Sequence, residues 1–399
     1  MGLLSGVRIL SVEQYGAGPF GTQALADLGA EVIKIENPHD GGDVSRSLGP
    51  YFHPDLPETA KSLFFQSINR NKKSLALDLS KPEGKAVFRD LVRHADAVAC
   101  NLRGDVPDRL GLTYAALADI KPDIVCCHLT AYGRDSSRAT WPGYDYLVQA
   151  ETGYFALNGE PGAVPTRFGL SIIDFMTGYC LALALAAGLF DARRSGKGRD
   201  IDVSLYDVGL ANLNYMAAWA MNGGYQPERS ERSAHPSLVP CQLFPTRDGW
   251  IYIMANKEKF FPLLCKRLGV PELASDPRFA DFAGRLAHRE QLTALLDPLF
   301  RQRNTGEWIE MLSGVVPCAP ILSMTEALKA PFTDERGMVA ELRHPGGGSA
   351  KVVGSPFRTG DAADTLPAPA LGDHTDSILA DIGYDGPRIA ALRSLGVLA

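Results

Sequence analysis

Short apolar runs alternate with longer amphipathic ones over the first third of the chain. Five runs have the length and composition of buried strands, at residues 7–12, 31–35, 74–79, 97–100 and 124–129. Segments with helical spacing follow the first and the third of these runs, at residues 20–28 and 82–94. Strands that alternate with helices favour right-handed crossovers and a mainly parallel sheet with helices on both faces. The sequence therefore predicts a doubly wound, Rossmann-like α/β domain.

The pattern changes in the second half of the chain. Helical spacing follows Asp174 to residue 192, and a short strand is expected at residues 200–205. A hairpin is expected at residues 242–253, because Asp248-Gly249 suits a turn with positive φ. Helical spacing then recurs at residues 257–268, 285–301 and 305–312. These elements predict a second, smaller unit of the α+β class.

Composition narrows the class of protein. Hydrophobic residues make up 45% and charged residues 22% of the 399, which is the balance of a soluble globular protein with room for two domains. The formal net charge of −6 gives no support to a nucleic-acid partner. The seven cysteines include no CxxC pair, which argues against a disulfide framework or a thiolate zinc site and favours a reducing cytosol.

The N-terminus and the most apolar segment bear on targeting and on membrane association. The N-terminus has no basic start followed by an apolar stretch, so no signal peptide is expected. The most apolar segment, residues 175–190, is shorter than the roughly 20 residues that cross a bilayer, which favours a buried core helix. We therefore expect a cytoplasmic protein with no membrane partner.

A glycine motif follows the first predicted strand. The segment Gly16-Ala17-Gly18-Pro19-Phe20-Gly21 matches GxGxxG and opens a helix, and Glu36 ends the next strand, which is the context of a dinucleotide site. Pro19 argues against that ligand, because it removes a backbone N–H where a pyrophosphate would bind. The other interpretation is a tight turn with glycines for close packing. The motif predicts the topology and leaves an NAD-binding oxidoreductase as an alternative.

Several blocks of the sequence resemble the formyl-CoA transferase/carnitine CoA-transferase family, also called family III CoA-transferases. They occur in the family's order over nearly the whole chain, at residues 6–19, 28–36, 69–79, 101–103, 109–111, 169–174, 196–205 and 371–375. The resemblance implies a homodimer whose two subunits are threaded through each other like linked rings. It also implies a large CoA-binding α/β domain at 1–205 and 335–399, a small domain at 223–330, and linkers at 206–222 and roughly 331–350.

The family's nucleophilic aspartate matches Asp174. From the residues alone, Asp174 enters an apolar helix from a loop and is equally a helix-capping residue. The two interpretations are compatible, since a helix N-terminus stabilises the anion that attacks a thioester. The implied reaction passes through an aspartyl anhydride and an aspartyl-CoA thioester. It uses acyl-CoA and a carboxylic acid as substrates, with no ATP, metal or tightly bound cofactor.

The resemblance also supplies candidate contacts to CoA. Family positions that contact CoA match Lys72, Asn101, Leu102 and Arg109, and Arg103 is a further candidate nearby. For each single Lys or Arg, the alternative is a solvated surface charge. Backbone N–H groups around Gly16 and Ala17, or in the loop at residues 223–240, are expected to bind the oxyanions. Better-characterised relatives place a Gln where this chain has Gly16.

The closest alternative function is that of α-methylacyl-CoA racemase, which shares this fold and the aspartate. Racemases of that type use a His in a Gly-His-Asp segment as a second acid/base. Tyr144 stands at that position here, and its ordinary pKa of about 10 favours transfer over racemisation. We expect Tyr144 to line the substrate pocket. Arg167 and His235 are further candidate contacts for a short dicarboxylate such as succinate, malate, mesaconate or glutarate.

Overall fold

The structure is a computed structural model that describes residues 2–345, 347–359 and 365–399. Gly346, within a predicted linker, and residues 360–364, within the predicted large domain, lie outside the described residues. The strands of the described part are β1 (Arg8–Val12), β2 (Glu31–Glu36), β3 (Lys72–Ala76), β4 (Ala97–Cys100), β5 (Val125–Thr130), β6 (Arg199–Ser204), β7 (Cys241–Pro245), β8 (Trp250–Met254), β9 (Cys318–Pro320), β10 (Val339–Arg343) and β11 (Ser349–Val353).

Helices connect these strands and cover the sheets. In chain order they are α1 (Ala17–Asp27), α2 (Leu63–Ile68), α3 (Pro82–Val92), α4 (Val106–Leu110), α5 (Tyr114–Leu117), α6 (Asp145–Glu151), α7 (Tyr154–Leu157), α8 (Ile172–Ser195), α9 (Leu205–Ala211), α10 (Asn214–Gly223), α11 (Phe260–Leu268), α12 (Phe282–Ala287), α13 (Arg289–Phe300), α14 (Thr305–Leu312), α15 (Met324–Leu328), α16 (Pro331–Glu335), α17 (Thr375–Asp381) and α18 (Gly386–Ser394).

The chain divides into two compact units. The first contains residues 1–152, 168–218 and 331–399, and the second contains residues 153–167 and 219–330. This division differs from the boundaries expected from the sequence at two places. Residues 153–167 lie in the second unit rather than the large domain, and residues 206–218 lie in the first unit as helix rather than linker.

A parallel sheet forms the centre of the first unit. Its strands lie in the order β3-β2-β1-β4-β5-β6, and each neighbouring pair is parallel. This confirms the predicted α/β class, and the strand order is that of a doubly wound sheet. The strand order reverses at β1 and β4: β2 and β3 follow β1 on one side, and β4, β5 and β6 lie on the other. Ligands of doubly wound sheets bind at this point. The apolar strand residues pack beneath α3, α17 and α18 in one core.

The long helix α8 packs against α1 and the β5–β6 side of the sheet. Close approach to α1 requires glycine at two facing positions: a Cβ at Gly21 would lie 2.4 Å from the backbone oxygen of Gly178. The helix has 24 residues and a mean hydropathy of 1.8 over its most apolar window, so length and composition alone would allow a membrane span. The expected fully buried helix is wrong in part, because Leu183 and Phe190 are 71% and 72% exposed.

The tail of the first unit contains an unexpected hairpin. Strands β10 and β11 pair in antiparallel register, with Leu342 opposite Ala350, in a region where the sequence predicted a linker at roughly 331–350. The prediction was wrong because the glycines marked a turn and not a linker. Gly347 and Gly348 both have positive φ and lie between the two strands.

The second unit is built on the predicted hairpin. Strands β7 and β8 pair in antiparallel register, and β9 adds to the other edge of β8. Helices α11, α13 and α14 cover this sheet, and their apolar residues form a separate core with Phe244 and Phe300 stacked at 4.8 Å. The predicted helices over 257–268 and 305–312 match α11 and α14 closely. The predicted helix at 285–301 is split, since α12 ends at Ala287 and α13 begins at Arg289.

Candidate active site

A cavity of about 600 Å³ opens at the carboxyl ends of β1, β4 and β5 in the first unit. Asp174 lines it together with Gly16 and Ala17 at the start of α1. Asn101, Leu102, Arg103 and Tyr144 also line it. A smaller cavity of about 270 Å³ lies beyond β1–β3 and shares Gln14 and Leu102 with the first. The two cavities occupy the point where the strand order reverses, as expected for a doubly wound sheet.

The carboxyl group of Asp174 is buried yet faces this cavity. Asp174 is 5% exposed and is the third residue of α8, whose N-cap position is held by Ser171. Within the described ranges, its carboxylate oxygens make no hydrogen bond to protein. The helix-cap interpretation of Asp174 is therefore wrong, because the side chain caps no backbone N–H.

Burial and the nearby charge of Asp145 raise the pKa of Asp174 to about 7. Burial and the charge of Asp145 thus act against the stabilisation of the anion that is expected from the helix N-terminus. A carboxylate with a raised pKa is more basic than an ordinary aspartate, and perturbed pKa values of this kind concentrate at functional sites.

Asp145 is the partner that the sequence prediction missed. It is the first residue of α6 and is 3% exposed. Its Oδ2 accepts the backbone N–H of Asp174 at 2.9 Å, and its Oδ1 accepts the side-chain amide of Gln149 at 2.6 Å. Gln149 also binds the backbone at Phe168 and Leu170, so one set of contacts fixes the loop that leads into α8. The only sequence signal was its place directly after Tyr144.

The glycine motif brings α1 against Asp174. A Cβ at Gly16 would lie 2.7 Å from the Asp174 Oδ2, and a Cβ at Gly18 would lie 2.8 Å from the Asn101 Cβ. Asn101 in turn accepts the backbone N–H of Gln14 at 2.9 Å and donates to its backbone oxygen at 2.6 Å. The glycines therefore serve close packing, the second of the two interpretations. The backbone at Gly16 and Ala17 lies beside the carboxyl group of Asp174.

Glu36, the acidic residue that a dinucleotide site would use to bind a ribose hydroxyl, is not available for that contact. Glu36 is 4% exposed, and its two carboxylate oxygens accept the guanidinium of Arg46 at 2.8 and 2.7 Å. The hydroxyl of Ser74 donates to Glu36 Oε2 at 2.7 Å. Although burial opposes it, Arg46 holds the pKa of Glu36 below its ordinary value. This ion pair argues against the NAD-binding alternative.

Lys72 does not face the cavity, which corrects its predicted contact with CoA. Its ammonium group is buried and donates to Glu13 Oε1 at 2.8 Å, the backbone oxygen of Pro19 at 2.8 Å and Asn69 Oδ1 at 2.9 Å. These three bonds use all three of its N–H groups. Burial lowers its pKa to about 8. Lys72 therefore links Glu13, which follows β1, to Pro19 in the first turn of α1.

The two candidate arginines lie at the surface. Arg103 lines the cavity, and its guanidinium binds Asp105 at 2.5 Å. Arg109 lies on α4 with its side chain 67% exposed and its Nε 3.9 Å from Asp105. Asn101, Leu102 and Arg103 line the larger cavity, and Leu102 also lines the smaller one.

Aromatic side chains form one wall of the larger cavity. Tyr144 is 60% exposed, and its ring meets that of Tyr15 edge-on with centroids 5.9 Å apart. Tyr144 thus lines the larger cavity, and its contact with substrate stays a prediction. Tyr15 was missed, because a tyrosine before a glycine motif carries no recognisable signal.

Two predicted substrate residues belong to the second unit. Arg167 is exposed, and its backbone oxygen accepts the side-chain amide of Asn158 at 2.8 Å. His235 lies in a turn in which its Nδ1 accepts the backbone N–H groups of Ser237 and Leu238, both at 3.1 Å. Burial and the neighbouring Arg289 lower the pKa of His235. These contacts give His235 a structural role in its own turn.

The first unit thus combines a parallel α/β sheet, a cavity at the point where the strand order reverses, and a buried carboxyl group that faces this cavity. The chain belongs to CoA-transferase family III, whose model matches residues 4–375. It is 34% identical over 388 residues to the succinate–glutarate CoA-transferase of Agrobacterium fabrum, covering 95% of each chain. It is 35% identical over 341 residues to the acetyl-CoA:oxalate CoA-transferase of Acetobacter aceti, covering 85% of each.

A solved structure agrees with this assignment. A CaiB/BaiF family protein from Brucella suis superposes with a TM-score of 0.81 at 33% identity, covering 96% of this chain and 99% of that one. The family and the enzyme class predicted from the sequence are thereby confirmed: the chain is a CoA-transferase.

Removal of the charge on Asp145 tests its effect on Asp174. In Asp145→Asn we expect the acid limb of the pH profile of kcat/KM, near pH 7 in the wild type, to move to lower pH, because one of the two causes that raise the pKa of Asp174 is gone. The measurement is exchange activity from pH 5 to pH 9, with Asp207→Asn, an exposed carboxylate on α9, as the control. An acid limb that does not move in Asp145→Asn would contradict the proposed coupling.

Proposed function

We propose that the chain transfers CoA between carboxylic acids, with Asp174 as the covalent carrier. A carboxylate oxygen of Asp174 attacks the thioester carbonyl carbon of the donor, the C–S bond breaks, and CoA leaves as the thiolate. The thiolate attacks the aspartyl carbonyl carbon of this anhydride and releases the donor acid. The acceptor carboxylate then attacks the aspartyl thioester, which gives a second anhydride and releases CoA as the thiolate. The thiolate attacks the acceptor's acyl carbon, the C–O bond to Asp174 breaks, and the products are the new acyl-CoA and the free carboxylate of Asp174. The observation that carries the proposal is a titratable carboxyl group that faces the cavity without a hydrogen-bond partner in the described part of the chain.

The start of α1 supports the same chemistry. The first N–H groups of a helix have no partner inside the helix, and they are partial positive charges. Ala17 and Gly18 supply such groups, and the Cβ position of the preceding Gly16 is 2.7 Å from Asp174. We propose that these N–H groups stabilise the oxyanion formed at the attacked carbonyl. Asn101, Leu102, Arg103 and Arg109 remain the proposed contacts for CoA along the crevice.

We further propose a short dicarboxylate as the acceptor. The relatives named above act, by their names, on succinate, glutarate and oxalate, all of which carry two carboxylates. The second carboxylate needs a cation, and a guanidinium can bind it with two hydrogen bonds. Arg167, seven residues before Asp174 in the chain, remains the proposed partner.

A panel of acids tests both the function and Arg167. Purified enzyme is incubated with succinyl-CoA and each of oxalate, glutarate, mesaconate, acetate and butyrate, and acyl-CoA products are read by mass spectrometry. We expect exchange with dicarboxylates, and we expect Arg167→Ala to raise KM for dicarboxylates by about 10-fold or more while monocarboxylates are unaffected. Arg194→Ala, an exposed arginine at the end of α8, is the control. Unchanged dicarboxylate kinetics in Arg167→Ala would exclude Arg167 as the contact for the second carboxylate. Absence of any CoA exchange by the wild-type enzyme would refute the proposed function.

We also propose that the chain forms the interlocked homodimer implied by the family. The support is apolar surface on α8, where Leu183 and Phe190 are each more than two-thirds exposed. Light scattering is expected to give twice the mass of one chain. Leu183→Lys is expected to shift the protein to monomer or to insoluble material, whereas Arg194→Ala on the same helix is not. A monomeric wild-type enzyme that remains active would contradict the proposal.

A further inference from the structure

Tyr15 has an unusual backbone conformation at the mouth of the active-site cavity. Its φ is +66°, in the left-handed region that non-glycine residues rarely adopt. It directly precedes Gly16, so its backbone leads into the start of α1 beside Asp174. A strained residue persists only where surrounding contacts hold it, and such residues concentrate at functional sites.

Buried charges hold Tyr15 in this conformation. Asp43 Oδ1 accepts the backbone N–H of Tyr15 at 3.0 Å and that of Ser45 at 2.8 Å. Asp43 Oδ2 lies 2.8 Å from the ammonium of Lys34, and both side chains are fully buried. The same ammonium group donates to the backbone oxygen of Glu13 at 3.0 Å. A desolvated ion pair thus holds the segment that carries Tyr15. Taking two charges out of water costs free energy, which favours a functional reason for this geometry.

The result of this arrangement is a phenol in the same cavity as Asp174. The Tyr15 ring packs between Phe64, with centroids 5.6 Å apart, and Tyr144, with centroids 5.9 Å apart. Tyr15 and Asp174 both line the 600 Å³ cavity. Tyr15 is 37% exposed, so its phenol is packed against both rings and still accessible from the cavity.

We propose that Tyr15 is a catalytic residue whose hydroxyl donates a hydrogen bond to the carbonyl oxygen of the acyl group attacked by Asp174. The inference rests on the proposed function of Asp174 as the nucleophile. As the Asp174 oxygen bonds to the acyl carbon, negative charge develops on the carbonyl oxygen, and the hydroxyl stabilises it. The C–S bond then breaks and CoA leaves as the thiolate. Tyr15 keeps its proton throughout, so no proton is gained or lost.

The electrostatics of the phenol suit a donor. Burial and then the charge of Asp174 raise the pKa of Tyr15 above its ordinary value of 10. The phenol is therefore protonated at neutral pH, where Asp174 titrates. Donors fixed in advance at the position of a developing oxyanion are among the largest contributions to catalysis.

Single-turnover labelling tests the role of Tyr15. Full-length enzyme is mixed with succinyl-CoA and hydroxylamine, and the hydroxamate at Asp174 is followed with time by peptide mass spectrometry. In Tyr15→Phe we expect labelling about 100-fold slower than in the wild type, with the same final extent and little change in KM. Tyr179→Phe, which removes a phenol from α8 outside the cavity, is the control and should label at the wild-type rate.

One outcome would overturn the inference and leave the function intact: if Tyr15→Phe labels Asp174 at the wild-type rate, the hydroxyl is not a donor. In that case Tyr15→Gly, which accepts the positive φ without the ring, tests the ring itself, and slow labelling in this variant alone would show that the ring only shapes the cavity. If the wild-type enzyme itself gives no label at Asp174, the proposed function fails instead, so the two claims are separated by the same experiment.

Discussion

Replacing Asp174 by Asn should abolish CoA exchange, with kcat at least about 10⁴-fold below the wild type, because an amide cannot form the anhydride and loss of a nucleophile has an effect of this size. The readout is acyl-CoA exchange between succinyl-CoA and a dicarboxylate. Asp191→Asn, on the same helix and paired with surface arginines, should retain nearly full activity. Exchange in Asp174→Asn within 10-fold of the wild type would exclude covalent catalysis by this residue.

The same variant should be more stable than the wild type above neutral pH. The pKa of Asp174 in the folded chain, about 7, is higher than its ordinary value of 3.8. Its contribution to stability is therefore fully present below pH 4 and is lost as the pH rises to 7, on the order of 1 kcal/mol per pH unit. Asn carries no charge to bury. Urea unfolding at pH 5 and pH 8 should show the gain of Asp174→Asn growing with pH.

Gly16→Ala should lower kcat by about 10- to 100-fold with little loss of stability, because misplacement of a reacting group by about 1 Å costs rate on this scale. Gly16 has φ −95° and ψ −75°, so alanine fits the backbone without strain. The new Cβ would lie 2.7 Å from Asp174 Oδ2, which is the mobile end of a side chain. The carboxylate moves and the fold does not.

Measurement of both kcat and the melting temperature of Gly16→Ala tests whether activity falls while stability is kept. Gly386→Ala, at the start of α18 where a Cβ would meet nothing within 4 Å, is the control and should leave both quantities near the wild type. A Gly16→Ala enzyme with full activity would show that α1 need not approach Asp174. An enzyme that is inactive because it is unfolded would show that the contact is structural.

The sheet could be predicted because its signals are local. Apolar runs of strand length alternate with helical spacing, and each run occupies a strand within a few residues of its expected limits. The division into units was harder, since residues 153–167 leave the large domain and return within fifteen residues. A short excursion of that kind leaves no change in composition. The hairpin at β10 and β11 was hidden by the glycines that form its turn.

The site was predictable where a residue type implies its role, and not where partners decide it. Asp174 was found, but its raised pKa depends on Asp145, which is 29 residues away in sequence and on another helix. Lys72 has the residue type of a phosphate contact, yet its three bonds are made to Glu13, Asn69 and a backbone oxygen. Burial decides such cases, and the sequence does not show to which side of the sheet a charged residue at the start of a strand points.

The most direct test of covalent catalysis is a search for CoA on the protein itself. Wild-type enzyme is mixed with succinyl-CoA, quenched in acid and digested, and the peptides are analysed by mass spectrometry. We predict a CoA thioester on the peptide that contains Asp174, converted by hydroxylamine to a hydroxamate at that residue and absent from Asp174→Asn. An enzyme that exchanges CoA normally while this peptide stays unmodified, or while the adduct forms on another residue, would contradict the account.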